Sequence, residues 1–433
     1  MVPVGALIAP LAWAAGVAAG AWAWARLCPA PPGSPLARRL AEPLLAGWVI
    51  EGASVLLLAL AGAAASPAAA LAPVALALVA ASRRRRGETR SPEPTGLHWI
   101  EGSLLAVAGA RLVWLATAWP WGQPWGWDLY AVWGLKARHL VATGGLWRYL
   151  SAAAELPFSH AEYPLLLPAH LAAVSWPAGS GFLAALPDAV LAGAALALWW
   201  ALWRESLGPV PAAALTVLLA WPGDLWGGHL VGLADRPLAL LAGVAAALVA
   251  LGVRERDVPL LAVSLAGLAL LKNEGLPFAV VLALAALARR RDSRTATALA
   301  LAMTPAVAWR LATSALGLLG DRVGGLTLPA DPTAHLAMLL RGLWLVASTP
   351  DLLVPVGCGT AAALAALAVG GARITAAAVL AQAVLLAAAV YLGPYPLSWQ
   401  IGTALPRLVA QVLPAALACL GALAVALTRR DAP

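Results

Sequence analysis

Charge is what this sequence has least of. Only 11% of its 433 residues are charged, against about 25% in an ordinary soluble domain. So few charges cannot cover the water-facing surface of a chain this size, which excludes a soluble globule. Cysteine is scarce as well. Cys28, Cys358 and Cys419 lie in or beside apolar segments with no CxxC spacing, so neither a disulfide framework nor a cysteine metal site is expected. No Walker motif, Rossmann glycine fingerprint or HExxH occurs. A soluble domain of the kind an inner-face nucleotide-sugar enzyme needs is also missing.

What the chain does have is apolar length. Hydrophobic residues make up 62% of it, the mean hydropathy is +0.83, and the apolar runs extend from end to end rather than forming one anchor. The net charge of +8 does not point to nucleic acid. Its arginines fall in short clusters between apolar runs, as membrane orientation requires. These clusters are Arg26 with Arg38 and Arg39, Arg83 to Arg86, Arg289 to Arg291 with Arg294, and Arg429 with Arg430. Taken as cytoplasmic anchors, they predict an all-α polytopic membrane protein of about thirteen transmembrane helices, with eleven to fourteen as the range. The predicted spans lie near 5–25, 41–62, 67–82, 98–119, 181–203, 209–222, 236–253, 258–271, 276–288, 295–317, 352–370, 374–395 and 404–427. Segments 164–178 and 335–349 are expected as interfacial or re-entrant helices. The first basic residue, Arg26, follows the first apolar run, so that run is expected to remain as a span and not to be cleaved.

The division that follows is a three-span segment over 1–97, a central module over 98–290 and C-terminal helices over 291–433. Several spans are shorter than the ~20 residues a bilayer needs, so polar ends are expected to dip beside a water-filled cavity. The parity puts Asp128, Lys136, His139, His160, Glu162, Asp224, His229, Asp235, Arg236, Lys272, Glu274, Asp321, Arg322 and Arg407 on the extracytoplasmic side. The basic clusters hold the other side, so a site belongs at the outer face. Span interiors read as almost purely Ala, Leu and Val.

The richest stretch is the extracytoplasmic loop 120–163, after the fourth span. There WDLYAVWGLKARHL predicts a membrane-parallel helix. Positions 129, 133, 136 and 140 share one face, with Trp133 and Leu140 directed toward lipid. An aromatic belt helix with snorkelling Lys136 and Arg138 accounts for part of this. It leaves unexplained the aspartate at the rim and the segment HAEYPLLLP, which re-enters with His160 and Glu162 at its mouth. ADRPLAL (Ala234 to Leu240) and LLKNEGLPF (Leu270 to Phe278) place further polar residues at outer turns, and ionisable groups at a membrane boundary are functional candidates. Asp235 and Arg236 also admit an N-cap and a snorkelling arginine. Arg407, just inside the last span, admits either snorkelling or contact with a phosphate.

The order W-D-x-x-x-x-W-x-x-K-A, then H-x-E-Y-P-L-L-x-P, then ADRPLAL and LLKNEGLPF, resembles bacterial membrane glycosyltransferases of the GT-C superfamily. These are relatives of the dolichyl-phosphate-mannose protein mannosyltransferases. The likeness covers about residues 100–290, whereas the remainder agrees only in hydropathy. This chain differs in carrying four spans, not one, before the motif-bearing loop. The resemblance implies a GT-C-like fold, a polyprenyl-phosphate sugar donor, a glycan, lipid or protein acceptor, and an inner-membrane location in bacteria with the site facing outward.

Such a transfer needs a carboxylate for the acceptor hydroxyl and cations for the leaving phosphate. Asp128 is the expected base, with Glu162 and Asp235 completing the catalytic set. Trp133, Lys136, Arg138, His160, Tyr163, Lys272, Asn273 and Glu274 form the substrate-binding set. No metal ligand set is expected, although Asp128 and Glu162 leave a divalent cation, magnesium or manganese, open as a cofactor. Two other readings stand beside this one. A transporter or flippase would carry charges within its spans and on both faces, and a polymerase or ligase of lipid-linked glycans would build its site from later loops such as 317–336.

Overall fold

The computed structural model describes residues 5–30, 33–63, 73, 74, 77, 99–118, 128–153, 159–175, 185–226, 230–318 and 328–430. Within these, every regular element is helical. The first group is α1 (Gly5–Leu27), α2 (Leu36–Leu60) and α3 (Trp99–Ala118). A π-helical turn, Leu129–Trp133, then leads into α4 (Gly134–Thr143), followed by α5 (Leu146–Ala153) and α6 (Leu166–Ser175). The central bundle is α7 (Ala185–Leu207), α8 (Pro209–Ala220), α9 (Asp235–Ala250), α10 (Val258–Leu271), α11 (Gly275–Arg289) and α12 (Ser293–Ala315). The last five are α13 (Pro332–Ala347), α14 (Pro350–Leu367), α15 (Arg373–Tyr391), α16 (Leu397–Thr403) and α17 (Leu405–Arg430).

The helices start where local chemistry favours it. Asp292 caps α12 by accepting the Thr295 N–H at 2.8 Å, and Asp331 caps α13 through Ala334 at 2.9 Å. Gly144, at φ 69°, ends α4 in the left-handed region that glycine tolerates.

Among the described residues, six helices are long and apolar enough to cross a membrane: Ile8–Leu27, Leu36–Leu60, Ala185–Leu207, Pro350–Leu367, Arg373–Tyr391 and Leu405–Thr428. This corrects the expected thirteen. Most of the remaining predicted segments are helices at nearly the predicted positions, but they lack the length or hydropathy of a span. α9 is the clearest case. Every residue from Asp235 to Val249 is buried, and its 16 residues reach only about 24 Å at 1.5 Å each. A helix that is apolar on all sides is a core helix as readily as a span, and composition cannot separate the two. α9 and α10 are the centre of the bundle, with α17, α7, α2 and α12 packed around them. Gly243 lets α17 approach α9, because a Cβ there would lie 2.6 Å from Pro414. The predicted span 67–82 lies almost wholly, and Arg83 to Arg86 lie entirely, outside the described residues.

The antiparallel core gives the molecule two polar ends. At one, the fully buried Arg38 meets Glu42 at 3.3 Å, Glu205 at 3.0 Å and Asp257 at 2.5 Å, and Arg254 meets Asp257 at 2.9 Å. At the other, α9 begins at Asp235 and α10 ends before Lys272. Between these ends the span interiors are mostly aliphatic, as expected, with Glu51 and Gln382 as buried exceptions in α2 and α15. Neither Glu51 carboxylate oxygen has a hydrogen-bond partner.

The helix over 129–143 faces the other way from its sequence reading. Leu129, Trp133, Lys136 and Leu140 do share a face, but all four are buried against protein, and Lys136 is only 1% exposed. Trp133 and Leu140 therefore do not enter lipid, and Lys136 does not snorkel. α6 supplies their cover, which is why the segment predicted as re-entrant is itself buried.

Candidate active site

The site is built on the turn between α10 and α11. Lys272, Asn273 and Glu274 form this turn. Gly275 follows because any side chain there would collide with the Leu268 carbonyl in the last turn of α10. The turn thus presents three polar residues at the end of two antiparallel core helices.

Asp235, 1% exposed at the start of α9, is the most heavily engaged group. Its Oδ1 accepts from Lys272 Nζ at 3.2 Å and from Gln411 Nε2 at 2.6 Å. Its Oδ2 accepts from Arg407 Nη2 at 2.6 Å and Nε at 3.2 Å. Burial alone would raise this carboxyl, but Lys272 and Arg407 overturn that and hold it well below the usual carboxylate range. Asp235 makes no side-chain cap for its helix, so the capping alternative fails.

Arg407 then continues the line, donating from Nη1 to Asp128 Oδ2 at 2.5 Å. The Asp128 side chain keeps 31% exposure, and no described residue engages its Oδ1. Lys272 also meets Glu274 at 3.3 Å. The result is an unbroken chain of alternating charge, Asp128–Arg407–Asp235–Lys272–Glu274, drawn from widely separated parts of the sequence.

A second group adjoins the first through Asn273. Its Nδ2 reaches Glu162 Oε1 at 3.5 Å, and His160 Nδ1 stands 3.7 Å from the same oxygen. His160 adopts φ 50°, a left-handed conformation that histidine tolerates better than most residues. That turn aims its carbonyl at Lys136 Nζ, 2.6 Å away, and stacks its ring on Tyr163 at 4.9 Å. Tyr163 stacks in turn on Trp133, and Lys136 lies over both rings at 5.1 and 5.4 Å. Burial lowers the Lys136 ammonium to about 7, with Glu162 opposing the shift.

Of the residues singled out from sequence, eleven take part in these two groups: Asp128, Trp133, Lys136, His160, Glu162, Tyr163, Asp235, Lys272, Asn273, Glu274 and Arg407, the last bonded to carboxylates and not snorkelling. Arg138 does not. It is exposed and donates to the Tyr130 carbonyl at 3.0 Å. Arg236 does not snorkel either. It is buried on Asp188 at 2.5 Å and donates to the Leu225 carbonyl, so it fastens the preceding loop to α7. The Asp224 side chain, His229, Asp321 and Arg322 lie outside the described residues. Asp128 is engaged by Arg407 and Glu162 by Asn273, and the described residues contain no group of three or more His, Cys, Asp or Glu able to hold a metal ion.

Three residues were not foreseen. Gln411 sits one turn after Arg407. Trp309 donates to the Glu162 carbonyl at 2.9 Å. Arg310, beside it in α12, lines a cavity of about 230 Å³ together with Lys272, Asn273, Pro164 and Pro277. An arginine inside an apolar run is itself a signal of function, so Arg310 was open to detection in the sequence.

Together these features define a helical membrane protein with a charge-lined site at one end of its core. No family model matches the chain, and neither a curated protein nor a solved structure does.

Proposed function

We propose that this protein is an integral membrane glycosyltransferase that moves a sugar from a polyprenyl-phosphate donor to a hydroxyl on a glycan, lipid or protein acceptor. The observation that carries the reading is the meeting of Asp128, Arg407, Asp235 and Lys272, with His160 and Glu162 alongside, at one end of the bundle. Asp128, whose Oδ1 no described residue engages, accepts the proton of the acceptor hydroxyl as its oxygen attacks the anomeric carbon. The bond from that carbon to the phosphate oxygen breaks, and the phosphate leaves with the electron pair, stabilised by cations in a low-dielectric setting. Arg407 fixes Asp128 in place. Asp235 keeps Arg407 from turning away.

Two further points support the reading. The polar ends of α9 and α10 stand roughly 21–24 Å apart along the helices, less than the ~30 Å of hydrocarbon in a bilayer. A lipid-borne sugar therefore meets the site at membrane depth. The opposite end gathers Arg38, Arg39, Arg254, Arg256 and Arg289 to Arg291. By the positive-inside tendency that end faces the cytoplasm, and the Asp128 end faces outward from a bacterial inner membrane. The motif resemblance to GT-C enzymes agrees with both points.

The test is transfer from a radiolabelled polyprenyl-phosphate sugar in membranes bearing the wild-type chain or Asp128→Asn. The variant is expected to insert and express normally yet lose at least a hundredfold in rate, within the range for a general base. Wild-type activity in Asp128→Asn would refute the assignment. Mass spectrometry of glycolipids and glycoproteins in a deletion strain then identifies the acceptor.

A further inference from the structure

The cations of the site are not equally available to a ligand. Arg407 is spent: Nε, Nη1 and Nη2 are all bonded to the carboxylates of Asp128 and Asp235. Lys272 is shared between Asp235 and Glu274. Arg310 differs from both. Among the described residues its guanidinium has no hydrogen-bond partner, Nη1 being buried as well, and no carboxylate lies within ion-pair distance. A buried charged donor without an acceptor is costly, and the atom belongs to a residue that lines the 230 Å³ cavity beside Lys272 and Asn273.

We propose that this cavity binds the phosphate of a lipid phosphate monoester, with Arg310 as its main ligand and Lys272 and Asn273 beside it. A phosphate in the cavity supplies the counter-charge that the Arg310 guanidinium lacks among the described residues, in the charge-assisted form that guanidinium groups favour. Two carboxylates stand near Asn273: Glu162, whose Oε1 is 3.5 Å from Asn273 Nδ2 and lies against His160, and Glu274, which meets Lys272 at 3.3 Å. A lipid source fits the surroundings better than a soluble anion. Leu276 lines the cavity, and Val280 and Leu284 follow it at four-residue spacing along α11, 38% and 61% exposed. On α12, Val307 and Leu311 flank Arg310 and are exposed as well. An acyl or prenyl chain attached to the phosphate has an apolar track leading directly from the site. In the reaction proposed above, this is the seat of the donor's phosphate. That identification rests on the transferase reading, whereas phosphate binding does not.

The experiment uses the full-length protein in detergent and measures binding of geranylgeranyl phosphate against geranylgeraniol. Arg310→Gln is expected to weaken the phosphate probe roughly tenfold to a hundredfold and to leave the alcohol unchanged, with Arg310→Lys partly restoring binding. Asn273→Asp, which keeps Arg310 but adds a carboxylate, is expected to weaken the phosphate probe as well. Equal binding of the phosphate probe to wild type and Arg310→Gln overturns the proposal, as does equal loss of the alcohol. Displacement by millimolar inorganic phosphate would assign a soluble anion and overturn the lipid source; failure to displace supports it. Asp128→Asn is expected to bind the probe normally. Phosphate binding that depends on Arg310 in a protein that transfers no sugar leaves this proposal standing and removes the transferase reading. Transfer by Arg310→Gln with an unchanged KM for the donor does the reverse.

Discussion

Replacing Asp235 with asparagine tests whether the charge line is held as described. Four donor contacts converge on its two oxygens: Lys272 and Gln411 on one, two nitrogens of Arg407 on the other. An amide supplies one acceptor oxygen and one NH₂. Whichever way it is turned, two donors then face a donor. Hydrogen bonds to charged groups contribute about 1.5–3 kcal/mol each, and removing one partner of a buried pair costs about 3–5 kcal/mol. Arg407 keeps its Asp128 contact, but Arg407 is 25% and Asp128 31% exposed, so solvent screens that arm, which is worth only about 1 kcal/mol. The expected loss for Asp235→Asn is therefore about 3–5 kcal/mol. Arg407→Gln should cost a similar amount, because it strands the same carboxylate. The double variant removes both charges and should be less damaged than the sum, with a coupling energy of about 2–3 kcal/mol. Denaturant unfolding followed by tryptophan fluorescence in detergent supplies the four values, and the 21 tryptophans give ample signal. Coupling below about 0.5 kcal/mol would mean that Asp235 and Arg407 do not act as a pair.

The remaining predictions concern Lys136 and the far end of the bundle. The folded value of Lys136, about 7, lies below the unfolded 10.5. The unfolded chain thus holds more protons between these limits, and stability rises with pH across that window. Lys136→Met should consequently gain most over wild type near pH 6 and lose that advantage by pH 10–11; a difference in melting temperature that does not change with pH would contradict the burial argument. Arg38→Met removes the shared, fully buried partner of Glu42, Glu205 and Asp257, leaving the partly exposed Arg254 for the last two. It should destabilise the protein by about 3–5 kcal/mol, seen as a lower melting temperature or loss of a monodisperse peak, and wild-type behaviour would rule out a structural role for that cluster.

Much of the site was legible in the sequence because polar residues in an apolar chain are conspicuous. KNEG, ADRP and HAEYP each stood out, and their chemistry was readable once the helix direction of each flanking run was known. The pairing of Arg407 was not legible. Its partners lie 172 and 279 positions away, and no local pattern carries a contact of that separation. Gln411 escaped notice for a related reason: a single amide in a hydrophobic helix has meaning only when the carboxylate it meets is known. Arg236 and Lys136 show the opposite error, where a generic rule for arginine and lysine at membrane rims gave a plausible place and the packing supplied a different one.

The opening scarcity of charge by itself determined that the chain is helical, apolar and unable to live as a soluble globule, since those follow from composition and hydrophobic length. It also determined where most helices begin and end, because capping residues, proline, glycine and charged turns act locally. Only the tertiary structure decided which helices are long enough to face lipid and which are buried inside the bundle. Hydropathy measures a preference for leaving water and says nothing of whether lipid or protein receives the side chain. The tertiary structure alone also decided which of the few charges neutralise one another. Among the described residues it leaves one oxygen of Asp128 unengaged and the Arg310 guanidinium without a carboxylate.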